Sequence, residues 1–181
     1  IDHAAREHGV REIVSYWADG NISRSNWAEI GLESRKFSQA MQRLGMTKGD
    51  RIATIAMNHA HHLISWYGSA GIGGILHTVN PRLFEEQLVY ILNHAEDRVL
   101  LFDKMFAPIV EALKPQLKTI EHYIQFDGEK GDYPTFRELV DAENGDFTWV
   151  EVDENDPCGL CYTSGTTGNP KGVLYEHRSN V

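Results

Sequence analysis

Hydrophobic and polar positions follow two periods along the chain, and the changes of period mark its elements. Residues 2–8 read as a short helix. Residues 13–18 alternate with period two and are rich in strand formers, and Asp19-Gly20 is a hairpin signal with Ile22 and Ser23 on the returning arm. Asn26, followed three residues later by Glu29, predicts a capping box. The helix it opens carries apolar or small residues at Ile30, Phe37, Ala40, Met41 and Leu44 and ends at Gly45.

Beyond the Lys48-Gly49-Asp50 turn the chain alternates between element types. Strands are expected over 51–57, 75–79, 98–102, 123–126 and 158–162, and helices over 59–71, 84–94, 107–113 and 136–142. Asn80-Pro81 breaks the chain, and 127–132 and 143–154 are acidic connectors. Residues 51–79 form a strand-helix-strand unit with a right-handed crossover. The alternation predicts an α/β fold: a largely parallel sheet covered by helices on both faces, with an antiparallel hairpin near the N-terminus.

Composition narrows the function. The 181 residues suffice for one domain with a core or for part of a larger one. Lys and Arg number 17 against 26 Asp and Glu, a formal net charge of -9, which argues against nucleic acid as a partner. Residues 52–81 lack Asp, Glu, Lys and Arg, yet His59, His61, His62, Asn58 and Asn80 make the stretch too polar for a transmembrane segment. With two cysteines and no secretory leader pattern, a cytoplasmic location is expected.

The densest chemistry lies in residues 162–173, Tyr-Thr-Ser-Gly-Thr-Thr-Gly-Asn-Pro-Lys-Gly-Val. Gly165, Gly168 and Gly172 let the backbone approach a ligand closely. Thr163, Ser164, Thr166 and Thr167 supply hydroxyls, and Lys171 supplies one cation. Many donors around a single ammonium suit polyanionic oxygens, so phosphate is the expected ligand. A Walker A loop is excluded. Pro170 stands where its second glycine should be and has no N–H, Gly172 replaces the magnesium-binding hydroxyl, and residues 173–175 begin a strand instead of a helix.

Residue for residue, this run resembles the phosphate-binding loop of the adenylate-forming enzymes: acyl-CoA synthetases, luciferases and peptide-synthetase adenylation domains. Upstream, Asn-Trp-Ala-Glu, Leu-Gly-Met-Thr-Lys-Gly-Asp-Arg-Ile-Ala, Leu-His-Thr-Val-Asn-Pro-Arg-Leu and Tyr-Ile-Leu-Asn-His-Ala-Glu-Asp-Arg are similar to the medium- and long-chain fatty acyl-CoA synthetase branch. The resemblance covers nearly the whole chain. It implies an AMP-forming acid-thiol ligase that takes a carboxylic acid, ATP with Mg2+, and CoA, and a possible homodimer. Thr163, Ser164, Gly165, Thr166, Thr167, Gly168 and Lys171 would bind the ATP phosphates. Lys171 would act in catalysis by neutralising the departing pyrophosphate, and Thr163 would neighbour the magnesium. Residues 1–181 would be part of the N-terminal AMP-binding domain, with the remainder of that domain and a mobile C-terminal domain outside them, and would be inactive alone. A ligase with an acceptor other than CoA and a non-catalytic dimerisation or scaffold module remain as alternatives.

Other constellations have simpler readings. Cys158 and Cys161 are three apart on a strand and point to opposite faces, which favours packing over metal or redox work. His59, His61 and His62 show no i, i+4 pair and no carboxylate partner in sequence, so packing or solvation is expected. His177 is assigned a structural role, Arg82 a surface ion pair, and Trp66 and Tyr67 a place in the core.

Overall fold

The computed structural model of the protein describes residues 1–163 and 169–180. In chain order the elements are α1 (Asp2–Glu7), β1 (Glu12–Tyr16), β2 (Ile22–Asn26), α2 (Trp27–Arg43), β3 (Arg51–Ile55), α3 (Ala60–Gly71), β4 (Ile75–Thr78), α4 (Glu85–His94), β5 (Val99–Phe102), α5 (Ala107–Leu113), β6 (His122–Gln125), α6 (Phe136–Asp141), β7 (Pro157–Thr163) and β8 (Lys171–Glu176). β1 and β2 form a separate antiparallel hairpin. The other six strands form one sheet in the order β6-β5-β3-β4-β7-β8.

Pairing is parallel from β6 through to β7, and β8 runs antiparallel to β7. The four residues of β5 are all buried, as are Ile52 to Ile55 of β3. Such unbroken apolar runs belong to strands covered on both sides. Ile52, Leu76, Val99, Leu101 and Ile124 pack with α2, α3 and α6. Their immediate neighbours Ala53, Leu100 and Phe102 turn the other way, onto Leu88, Ile91, Leu92, Val110 and Leu113 of α4 and α5. The period-two alternation thus splits one run of residues between two cores.

Local signals explain the helix starts. The Asn26 side chain accepts from Glu29 N at 3.0 Å and caps α2. The reciprocal bond expected of a capping box is not made there among the described residues. Both halves occur instead at α6, between Thr135 and Glu138. α2 and α3 pack closely because Gly68 has no side chain: a Cβ there would lie 2.6 Å from Phe37 Cδ1 and 2.8 Å from Ser34 O. Ser38 Oγ donates to Gly68 O at 2.8 Å across the same contact.

The β1–β2 hairpin rests on the start of α3. Ser15 Oγ accepts from Ala60 N at 2.8 Å, and the Trp17 ring stacks on His59 at 4.5 Å. Among the described residues no helix is long and apolar enough to cross a membrane.

Candidate nucleotide site

The glycine-rich run is carried by the β7–β8 hairpin at the edge of the sheet. Thr163, the last residue of β7, is the ladder partner of Lys171, the first of β8, and Tyr162 is the partner of Gly172. Ser164, Gly165, Thr166, Thr167 and Gly168 lie outside the described residues. Directly opposed residues of an antiparallel pair project to one face, so the Thr163 hydroxyl and the Lys171 ammonium stand on the same side of the hairpin. Both residues are exposed, while Pro170 is buried beside them.

Their side of the sheet follows from the alternation along β7. Gly159, Cys161 and Thr163 share a face. A Cβ on Gly159 would meet the Trp66 ring of α3 at 3.0 Å, and Cys161 Sγ lies 3.8 Å from Thr78 Oγ1. Trp66 and Thr78 also line a recess of about 380 Å³ together with Ile13, Val14, Ser15 and Leu63. The hydroxyl and the ammonium therefore sit on the recess side, at the C-terminal edge of the parallel strands, where open α/β sheets take their ligands.

Tyr162 faces the other way and is fixed from two directions. Its hydroxyl and His94 Nδ1 share a hydrogen bond of 2.6 Å, and its ring centroid lies 5.1 Å from that of His77. Burial, with a smaller push from the charge of Asp97, raises the phenol to about 12, so it remains neutral. Gly172 makes room for this ring: a Cβ there would come within 3.2 Å of Tyr162 Cζ.

The three histidines of α3 form a structural knot. His59 Nδ1 accepts from His62 N at 3.2 Å, which leaves the proton on Nε2 to be donated to Asp103 Oδ1 at 2.8 Å. The other carboxylate oxygen, Oδ2, accepts from Met57 N at 2.7 Å. Asp103 therefore ties the ends of β3 and β5 together. Forty-four residues separate it from His59, and so the sequence, read locally, missed the carboxylate partner. His62 Nδ1 donates to Met57 O at 3.1 Å, and Thr54 Oγ1 donates to His62 Nε2 at 3.0 Å. His61 Nδ1 donates to Phe126 O at 2.9 Å, its ring stacks on Phe136, and burial holds its pKa down to about 4. All three are hydrogen-bonded within the fold, and His59 and His62 also line the recess below Trp66 and Thr78.

The cysteines are free, with different partners: Cys158 accepts from Asn180 and lies near Tyr175 O, while Cys161 meets Thr78. Burial pushes the Cys158 thiol upward, away from reactivity. Trp66 and Tyr67 pack against the core on the α3 side. The expected surface ion pair of Arg82 is not formed among the described residues. Its backbone N–H instead donates to Asn80 Oδ1, closing the turn after Asn80-Pro81 and leaving the side chain in solvent. His177 Nε2 is buried without a partner among them. No cluster of three His, Cys, Asp or Glu side chains able to hold a metal occurs among the described residues.

A largely parallel sheet covered by helices, with a glycine-rich, lysine-ended sequence between its edge strands β7 and β8, defines an α/β protein of the kind that takes ligands at the C-terminal edge of its strands. The family model described as AMP-binding enzyme matches residues 1–181, and the chain belongs to that family. It is 48% identical to a 3-methylmercaptopropionyl-CoA ligase of Ruegeria lacuscaerulensis, over all of this chain and 35% of the relative. It is 43% identical to a medium-chain-fatty-acid–CoA ligase of Ectopseudomonas oleovorans, over all of this chain and 34% of the relative. Among solved structures, an anthranilate CoA ligase, AuaEII, in complex with anthranoyl-AMP superposes with a TM-score of 0.80 at 25% identity, over 86% of this chain and 29% of that one. The chain thus spans about a third of the length of the curated relatives it matches.

Proposed function

We propose that the complete protein is an AMP-forming acyl-CoA ligase and that residues 1–181 are part of its N-terminal, AMP-binding domain. In the first half-reaction the carboxylate of the substrate acid attacks the α-phosphorus of ATP, giving an acyl-adenylate and pyrophosphate. In the second, the CoA thiol attacks the acyl carbon and AMP leaves. The observation that carries this reading is the Thr163–Lys171 pair. It brings a hydroxyl and an ammonium to one face at the two ends of the motif, at the C-terminal edge of the parallel strands.

Lys171 balances the charge that develops on the leaving pyrophosphate. A preorganised cation aimed at that position lowers the barrier, because it does not have to reorient as the charge moves. Thr163, Ser164, Gly165, Thr166, Thr167 and Gly168 donate hydrogen bonds to the phosphate oxygens. Magnesium would be carried by the ATP phosphates, with the Thr163 hydroxyl as a neighbour, and would supply charge neutralisation there. The relatives named above act, by their names, on carboxylic acids with CoA, which supports the acid-thiol assignment. A fatty or thioether acid is the substrate class closest to those names.

The test is ATP–pyrophosphate exchange by the complete protein over short-, medium- and long-chain acids and 3-methylthiopropionate, with and without magnesium. Exchange that depends on particular acids supports the reading. A folded, complete protein that exchanges with none of them overturns it.

A further inference from the structure

His77 and Asp97 form a hydrogen-bonded pair sealed from solvent, directly beneath the residue that precedes the phosphate loop. His77 Nδ1 donates to Asp97 Oδ2 at 2.7 Å, and both side chains are 0% exposed. The remaining polar atoms, His77 Nε2 and Asp97 Oδ1, have no partner among the described residues. His77 is the ladder partner of Leu160 on β7, and its ring packs at 5.1 Å from that of Tyr162. Tyr162 in turn ends on His94 of α4. The pair thereby links β4, the lead-in to β5, β7 and α4 at a point one residue before Thr163.

Two buried polar side chains with an atom each left over are a poor way to fill volume. An apolar pair of the same size would be neutral or stabilising. What the pair provides is direction: the bond from Nδ1 fixes the plane of the imidazole, and the Tyr162 ring packs against that imidazole at a tilt of 47°. The opposite side of the ring faces Gly172, which has no side chain to hold it. His77 at the ring and His94 at the hydroxyl are its polar contacts, and the Ile75, Ala95 and Leu160 cluster packs around it.

We propose that His77 and Asp97 are positioning residues for nucleotide binding, setting through Tyr162 the height and direction at which β7 delivers the chain to the phosphate loop at Thr163. The inference rests on reading that loop as the ATP site. Neither residue touches the nucleotide.

The experiment compares His77→Leu, His77→Asn and the double variant His77→Leu/Asp97→Leu in the complete protein, measuring KM for ATP, KM for the acid, kcat and Tm. Asn returns an N–H near the position of Nδ1, whereas the double variant removes both buried polar groups and restores an apolar interior. His77→Leu is expected to raise KM for ATP by roughly tenfold or more, since small misplacements of binding groups cost that much or more. KM for the acid should not move. Asn should restore most of the loss. The double variant should regain Tm but keep its weak ATP binding, and this separates positioning from simple stability. Wild-type KM for ATP in His77→Leu, or recovery of ATP binding together with Tm in the double variant, would overturn the proposal. If His77→Leu does not fold, the double variant and Asn decide in the same way. A wild-type protein that neither binds ATP nor exchanges pyrophosphate would overturn the ATP reading itself, and this inference with it.

Discussion

Lys171 stands directly opposite Thr163 on the β7–β8 ladder, so the cation of the motif is held by backbone pairing at the mouth of the loop. Lys171→Ala removes the charge and leaves the ladder intact. In the complete protein it should slow pyrophosphate exchange by about 10²- to 10³-fold, the loss usual for one well-placed electrostatic donor. Tm should stay within a degree or two of wild type. Exchange at the wild-type rate would take Lys171 out of the mechanism.

Asp103 is a structural keystone, because its two carboxylate oxygens each accept one bond, from Met57 N and from His59 Nε2. Asp103 and His59 are 2% and 1% exposed, so Asp103→Ala leaves a buried donor on each side, each costing about 1–3 kcal/mol in urea unfolding. Asp103→Asn presents an oxygen to only one of the two donors and should lose about 1–3 kcal/mol. A wild-type midpoint for both variants would mean the pair carries no stability.

His61 should make stability fall in mild acid. Burial lowers its folded pKa from the ordinary 6.5 to about 4, against the opposing hydrogen bond to Phe126 O. Between those two values the unfolded chain takes up the proton and the folded protein does not. Stability from this group is complete above about pH 6.5 and is lost as pH falls toward 4, by at most about 1.4 kcal/mol per unit. Replacing His61 with Gln, which does not titrate, should flatten that part of the profile in chemical denaturation from pH 7 to 4. An unchanged slope would assign the acid sensitivity elsewhere.

Gly68→Ala tests the α2–α3 contact. The added methyl would sit against Phe37 and the carbonyl of Ser34, and overpacking of this kind costs about 1–3 kcal/mol. A neutral result would show that the helices can separate without penalty.

Much of this architecture was legible in the sequence because its signals are local. Apolar runs such as Val99 to Phe102, the Asp19-Gly20 turn and the Asn26 cap each depend on neighbours a few residues away, and each appears where expected. Boundaries moved by one or two residues: the strand expected to reach residue 57 ends at Ile55, because the Met57 N–H turns to Asp103. The partners that connect distant segments were not legible. Asp103 with His59 and Asp97 with His77 are separated by 44 and 20 residues, and no spacing rule joins a strand end to a helix cap. The missing ion pair of Arg82 has the same origin, since an exposed charge pairs only where the fold brings an opposite charge within reach. The motif was legible in the sequence, but the side of the sheet on which Thr163 and Lys171 stand needed the register of β7 and β8.

That register also sets how the sheet opens. β3 is joined to β4 and to β5 by four residue pairs each, whereas β7 meets β4 through two, Leu76 with Gly159 and His77 with Leu160. The smaller number of ladder pairs predicts that the β7–β8 hairpin opens at lower free energy than the strands behind it. In amide hydrogen exchange, Pro157–Thr163 and Lys171–Glu176 should lose protection well before Arg51–Ile55 and Val99–Phe102. A nucleotide held by the loop would slow exchange first in that hairpin, so ligand binding would be written into the local unfolding of one edge of the molecule.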